Sequence, residues 1–263
     1  MVLDFSHINA IVAVLVMILN QFIVIMLVEM INPQWLTQQS NLWIAIAYLL
    51  TIIYFLTKSM LSGQKVESCI LLKWGWFKDL WKCFLTQLLI SMGAYQLLLG
   101  IIYWINSSWA TTLYQSNSLA YANQLDLIIG IFCVSFLVPI GEELLFRGII
   151  FTRLLKRFPV ERALSMMALL FGILHGLDLV GATIFGYLCG LLYLKYKTLW
   201  APILLHMLNN GMTCLLQLYD LKFGIVMEAL TPSLVYDQVL IGIVYLTGGL
   251  AFLKWIHKGL KSG

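Results

Sequence analysis

Between Pro139 and Gly148 the sequence reads PIGEELLFRG, which sets two adjacent carboxylates, Glu142 and Glu143, and the guanidinium of Arg147 inside the oily run LIIGIFCVSFLVPIGEELLFRGIIF. Two further runs carry groups that could join them: FGILH, ending at His175, and HMLNN, from His206 to Asn210. A carboxylate can take a proton from water, an imidazole can take or give one, and a carboxamide donates a hydrogen bond without ionising. That combination suits hydrolysis of an amide, which needs a base for the attacking water and donors placed where negative charge develops. Charged side chains inside a bilayer cost about 3 kcal/mol or more, so by default they face a bundle interior and serve a function.

Spacing separates the two acids. Glu143 and Arg147 stand at i and i+4 on one helical face, where they can pair and offset each other's desolvation. Glu142 points about 100° away and has no such local partner, which nominates it for proton transfer and leaves Glu143 and Arg147 in support. Pro139 and Gly141 just upstream permit a kink or widening that could admit water. The blander alternative is that both acids snorkel to the inner interface. Counting about 1.5 Å per residue from Asp126 puts Glu142 roughly 24 Å down, in the cytoplasmic half of the membrane. Phe171 and His175, like His206 and Asn210, are four apart and so are expected to share a helix face. His7 and His257 lie near the termini and are expected to be solvated.

The elements that must position these groups are membrane helices. The 263-residue chain is 61% hydrophobic and 11% charged, with mean hydropathy +0.91, far from the roughly one-quarter charged fraction of a soluble domain. The expected fold is all-α: a polytopic helical bundle forming a single membrane domain over residues 1–263. Its eight spans lie near 8–31, 42–61, 83–105, 126–150, 161–177, 179–195, 198–219 and 235–256. The first run has no basic residue before it and no cleavage signature, so it is expected to be a retained span rather than a leader. With eight spans, one set of loops collects the basic residues from Lys58 to Lys82, from Arg153 to Arg162, Lys195 and Lys197, and from Lys254 to Lys261. The opposite loops carry only Lys222, so both termini are expected in the cytoplasm. CILLKWGWFKDLWK, residues 69–82, has the spacing of a helix lying in the interface. Gly172 with Gly176, and Gly186 with Gly190, have the GxxxG spacing of close helix packing. The five cysteines are scattered without metal or disulfide spacing, and no basic cluster or motif supports nucleic-acid binding.

In order, EELLFR (Glu142–Arg147), FGILH (Phe171–His175) and HMLNN (His206–Asn210) resemble the EExxxR, FxxxH and HxxxN motifs of the CAAX prenyl endopeptidase and bacteriocin-processing superfamily, CPBP or Abi. The resemblance covers about residues 126–219, the motif-bearing core. It implies a metal-free, glutamate-type intramembrane endopeptidase whose polar chamber opens to the cytosol. Glu142 and His175 would activate water, Glu143 and Arg147 would support them, and His206 and Asn210 would form the oxyanion site; Asn209 is an adjacent candidate for a supporting role. The implied partners are the lipid bilayer and a membrane-associated peptide or protein substrate, and the expected location is a bacterial plasma membrane.

Three other readings use the same residues. Zinc held by Glu142, His175 and His206 would make a metallopeptidase, although no HExxH pair sets two ligands on one helical face. A non-catalytic membrane scaffold or bacteriocin self-immunity protein would keep the polar cluster for structure. A transporter would use it as a proton relay, but no repeated pair of broken helices marks matching halves.

Overall fold

The structure, a computed structural model, describes residues 5, 8–61, 74–115, 121–223 and 229–261, and these contain no strand. In chain order the helices are α1 (Ala10–Ile31), α2 (Pro33–Gln38), α3 (Ser40–Leu61), α4 (Trp74–Ile105), α5 (Ser107–Gln115) and α6 (Gln124–Phe132). A π-helical segment (Cys133–Leu137), α7 (Val138–Glu143) and a second π-helical segment (Leu144–Phe151) lead into α8 (Thr152–Arg157). Then follow α9 (Val160–Ile173), a 3-10 turn (Gly176–Asp178), α10 (Leu179–Tyr196), α11 (Trp200–Phe223) and α12 (Pro232–Lys261).

Among the described residues six helices are long and apolar enough to cross a membrane: 10–31, 40–60, 76–105, 124–157, 176–196 and 232–257. The chain is a polytopic helical membrane protein. The two remaining expected spans correspond to α9 and α11. At 14 residues α9 extends about 21 Å, less than a hydrocarbon core of about 30 Å. The 24-residue α11 is long enough but carries His206, Asn209, Asn210, Gln217, Asp220 and Lys222. The interfacial helix expected over 69–82 is not separate: residues 62–73 lie outside the described residues, and 74–82 are the first turns of the continuous 32-residue α4. A helical pattern at the start of a long helix cannot be told by periodicity from a short helix on its own.

The helices pack as two compact units, one of residues 1–72, 119–163 and 196–214, the other of 73–118, 164–195 and 215–263. In the first, Asn9 caps α1 by accepting from Ile11 N at 2.9 Å. Asn32 ends α1 in an extended conformation, and its side chain then caps α2, where Pro33 begins; a proline at N1 sacrifices only an N–H that has no helical partner. Asn20 of α1 donates to Thr51 of α3 at 3.0 Å, an interhelical bond inside an otherwise apolar contact.

Asp126 sets the depth of this unit's entry. Fully buried, it accepts from Asn41 N at 2.9 Å, Asn41 Nδ2 at 3.1 Å and Ala122 N at 3.1 Å, while Asn123 caps its own N–H at 3.0 Å. One carboxylate therefore serves the first turn of α3 and the residue that leads into α6, at helix starts whose positive dipole ends favour an anion. The two helices start at one level and run the same way. Asp126→Ala would strand these donors, and we expect a loss of about 3 kcal/mol, read as an earlier thermal unfolding of the purified chain, with Asp126→Asn losing less.

The second unit is built on close backbone approach. Gly93 and Gly100 of α4 and Gly242 and Gly249 of α12 each recur after seven residues. A Cβ at Gly93 would lie 2.6 Å from Leu246 N and 2.8 Å from Gly242 O, so small residues let the helices touch where larger ones would hold them apart. Gly186 packs on Ala168 and Phe171 and Gly190 on Leu164, as their GxxxG spacing predicts, and Gly172 faces Thr183. Gly176 has a different role from the one its spacing suggested: it adopts φ +61 with nothing near its missing Cβ, so it is a turn residue rather than a packing residue. Lys195 pairs with Asp79 at 2.8 Å, setting the end of α10 level with the start of α4. His257 is not simply solvated, since its Nδ1 lies 2.8 Å from the Tyr187 hydroxyl and the rings stack. His7 and Cys69 lie outside the described residues; the other four cysteines form no disulfide and are buried.

Candidate active site

The motif helix is interrupted twice. Pro139 has no N–H to offer the Ser135 carbonyl one turn earlier, and π-helical segments stand on either side of α7, which carries Pro139, Gly141, Glu142 and Glu143. Such π insertions widen a helix and recur at functional sites. The helical run continues to Arg157 rather than ending near 150, so Glu142 lies near the middle of a 34-residue span.

Arg147 Nη1 donates to Glu143 Oε1 at 2.7 Å, and both side chains are fully buried. The i, i+4 pair is therefore present and does not snorkel. The same oxygen lies 3.0 Å from Nδ1 of His206, whose other nitrogen, Nε2, is 3.9 Å from Glu142 Oε2. An ionised carboxylate only accepts, so Nδ1 of His206 carries the hydrogen and Nε2 is turned to Glu142. Glu142 has a side chain 12% exposed. Within this cluster Arg147 offsets one of the two carboxylate charges, and a proton shared by the Glu142–His206 pair would offset the other.

Asn210 stands one turn beyond His206 on α11. Its Nδ2 donates to the Val134 carbonyl at 3.0 Å, and its Oδ1 accepts from Asn209 Nδ2 at 3.3 Å. Val134 belongs to the first π-helical segment, where the altered backbone ladder presents a carbonyl to a side-chain donor. One of the two Asn210 N–H groups is thus committed, and one is left for another acceptor. Asn209 supports Asn210 directly. Two side chains here escaped the sequence reading. Ser135, buried beside Val134, is seven residues before Glu142, a spacing that returns to the same helical face and could have flagged it. Tyr48 of α3 packs its ring at Gly141, beside Glu142 in the chain; a contact made across 93 residues leaves no local signal.

His175 belongs to the other unit and is not on the regular helix with Phe171. Helix α9 ends at Ile173, and His175 sits in the following turn at φ -96, ψ 7, before Gly176. Its ring stacks on Phe171 at 4.2 Å, and Nδ1 lies 2.7 Å from the Phe171 carbonyl oxygen. A carbonyl only accepts, so Nδ1 holds the hydrogen and Nε2 is left as a proton acceptor. Phe171 thus orients the imidazole through its ring and its backbone together.

Residues 124–212 match the family described as "Rce1-like: Type II CAAX prenyl endopeptidase Rce1-like". This segment is of the CAAX prenyl endopeptidase-like, CPBP, family. A similar protein is the "Putative membrane peptidase YdiL" of Bacillus subtilis (strain 168), 33% identical over 86 residues, which are 32% of this chain. The alignment spans 35% of that relative's length, about one third. No solved structure matches the chain. The CPBP segment contains all three motifs together with Asp126, Val134 and Ser135, whereas Tyr48 lies before it.

Proposed function

We propose that the chain is an intramembrane, glutamate-type endopeptidase that hydrolyses a peptide bond of a membrane-associated peptide or protein. The observation that carries this reading is the bridge at Glu143 Oε1, which holds Arg147 on one side and orients His206 Nε2 toward Glu142 on the other. In the neutral form of the cluster that leaves Glu142 ionised, the shared proton is on His206. That is also the form hydrolysis needs: Glu142 is free to act as base, and His206 Nε2 is a charged donor. Glu142 takes a proton from water as the oxygen attacks the scissile carbonyl. His206 Nε2–H and the remaining N–H of Asn210 receive the oxyanion, and Glu142 returns the proton to the departing amine. Once Glu142 is protonated, the surplus positive charge balances the oxyanion, so neutrality is kept through the step. A donor placed for an oxyanion is worth about 3 kcal/mol. His175 takes the water-activating role implied by its motif, with Nε2 as acceptor.

The similarity to a Bacillus subtilis protein supports a bacterial plasma membrane as the location. The reading is tested by the peptide products of membranes from cells with the intact chain and with Asn210→Ala. At least one product should depend on the intact chain and fall by about 100-fold in the variant; identical product profiles would refute hydrolysis.

The reaction as written uses no metal. Among the described residues no three or more His, Cys, Asp or Glu side chains are grouped to hold an ion, and Nδ1 of His206 is taken by Glu143. Cleavage is therefore expected to persist in 1,10-phenanthroline. Loss of activity on chelation, restored by added zinc, would instead favour the metallopeptidase.

A further inference from the structure

Helices α10 and α12 wall a cleft of about 320 Å³, none of whose lining residues belongs to the three motifs. Ile184 and Tyr187 come from α10, and Leu250, Leu253, Lys254 and His257 from α12. The α12 residues follow at i, i+3, i+4 and i+7, the spacing of one helical face. Polarity changes along the cleft in one direction. Helix α12 runs antiparallel to α4, since Gly242 meets Gly93 and Gly249 meets Ile90, and Lys82 near the start of α4 lies over the Trp255 ring at 4.7 Å. The Lys195–Asp79 pair brings the end of α10 to that same end. Ile184 and Leu250 are therefore deep, and Lys254 and His257 are nearer the helix ends, with about 10 Å of rise from Leu250 to His257. Trp81 and Trp255, each 52% exposed, stand at the level of these cations, as aromatic side chains do at a membrane surface.

The geometry points to a binding site for one anionic phospholipid, whose acyl chain lies along Ile184, Leu250 and Leu253 and whose phosphate meets Lys254 and His257. Asp79 is already shared by Lys195 at 2.8 Å and Lys82 at 3.8 Å, so Lys254 is the cation in the cleft wall. Nδ1 of His257 lies 2.8 Å from the Tyr187 hydroxyl; when the phenol donates, the neutral ring carries its hydrogen on Nε2 and offers it to an acceptor. Charge decides between occupants. An apolar helix, from a second copy or another protein, would seal Lys254 against hydrocarbon at a cost, whereas a phosphate at the membrane surface neutralises it. By the positive-inside rule this basic end is expected to meet the cytoplasmic leaflet, the anionic one. The site does not depend on the peptidase reading.

The test uses the purified full chain in a neutral detergent, titrated with phosphatidylglycerol or phosphatidylcholine and read by native mass spectrometry. One phosphatidylglycerol should be retained in preference to phosphatidylcholine. Its affinity should fall by about 5-fold in Lys254→Gln, as expected for one basic residue at an anionic surface. Leu250→Trp, which fills the apolar part of the cleft, should lose retention of either lipid. Lys156→Gln removes an equal charge from an exposed residue outside the cleft and should bind as the wild type does. Equal retention of the two lipids, or equal losses in Lys254→Gln and Lys156→Gln, would overturn the site. Inorganic phosphate should leave the lipid in place; full displacement by it would reduce the site to an anion site and overturn the lipid. A doubled protein mass that disappears in Leu250→Trp would give the cleft to a second copy and overturn the proposal as well. Should Leu250→Trp fail to fold, Lys254→Gln and Lys254→Glu, at an exposed position, decide alone, and the charge reversal should abolish the preference for phosphatidylglycerol.

Discussion

Glu142→Gln is expected to abolish peptide cleavage while the chain inserts and unfolds as the wild type does. Glutamine is close to the same size, but it cannot take a proton from water. General bases contribute about 100- to 10,000-fold, so the residual rate should lie at or below the detection limit of a product assay. Stability is expected to hold for an electrostatic reason. Removing the Glu142 charge leaves Glu143 and Arg147 in mutual balance, 2.7 Å apart, and a neutral His206 completes a buried cluster without net charge. The measurement pairs product mass spectra with thermal unfolding of the same preparation. Undiminished cleavage would remove Glu142 from the chemistry. A full cellular phenotype from a cleavage-dead variant would point instead to a scaffold or self-immunity protein.

Arg147→Ala is expected to cost stability as well as activity. Arg147 and Glu143 are wholly buried, so truncating the arginine leaves a carboxylate without its counter-ion in an apolar interior. Breaking a buried pair from one side costs about 3–5 kcal/mol. The damage reaches His206, whose orientation depends on the same Oε1 atom at 3.0 Å. Lower yield, earlier unfolding in detergent and loss of product should appear together. Adding Glu143→Gln to Arg147→Ala removes the stranded charge and should recover part of the stability but not the activity, because the carboxylate that faces the charged imidazole is lost with it. Coincident melting curves for wild type and Arg147→Ala would show that the pair contributes nothing.

Along the chain, the polar groups divide by the distance over which each contact is made. The Glu143–Arg147 pair was legible because four residues of helix bring two side chains to one face, whatever surrounds them. Even the π-helical distortion of residues 144–151 leaves it in place. The Phe171–His175 relation was legible as spacing and wrong as geometry, since the helix stops at Ile173 and the imidazole returns to its partner through a turn. His257 was misjudged by its nearness to the terminus, which says nothing about Tyr187, 70 residues away.

The amino-acid sequence by itself determined that this is a polytopic helical membrane protein, that Glu143 is paired and that three motifs of one family stand in order. Each follows from composition or from contacts within one or two helical turns. The tertiary structure decided that Glu143 is shared between Arg147 and His206, that Asn210 binds the Val134 carbonyl, that Asp126 serves two helix starts and that Tyr48 packs at Gly141. Those pairings join residues 63 to 93 positions apart, apart from the local one to Arg147. In a bilayer, lipid tails are as apolar as leucine, so a helix's hydrophobic pattern does not say which side meets a partner. Only packing, small residues at close approach and buried hydrogen bonds make that choice.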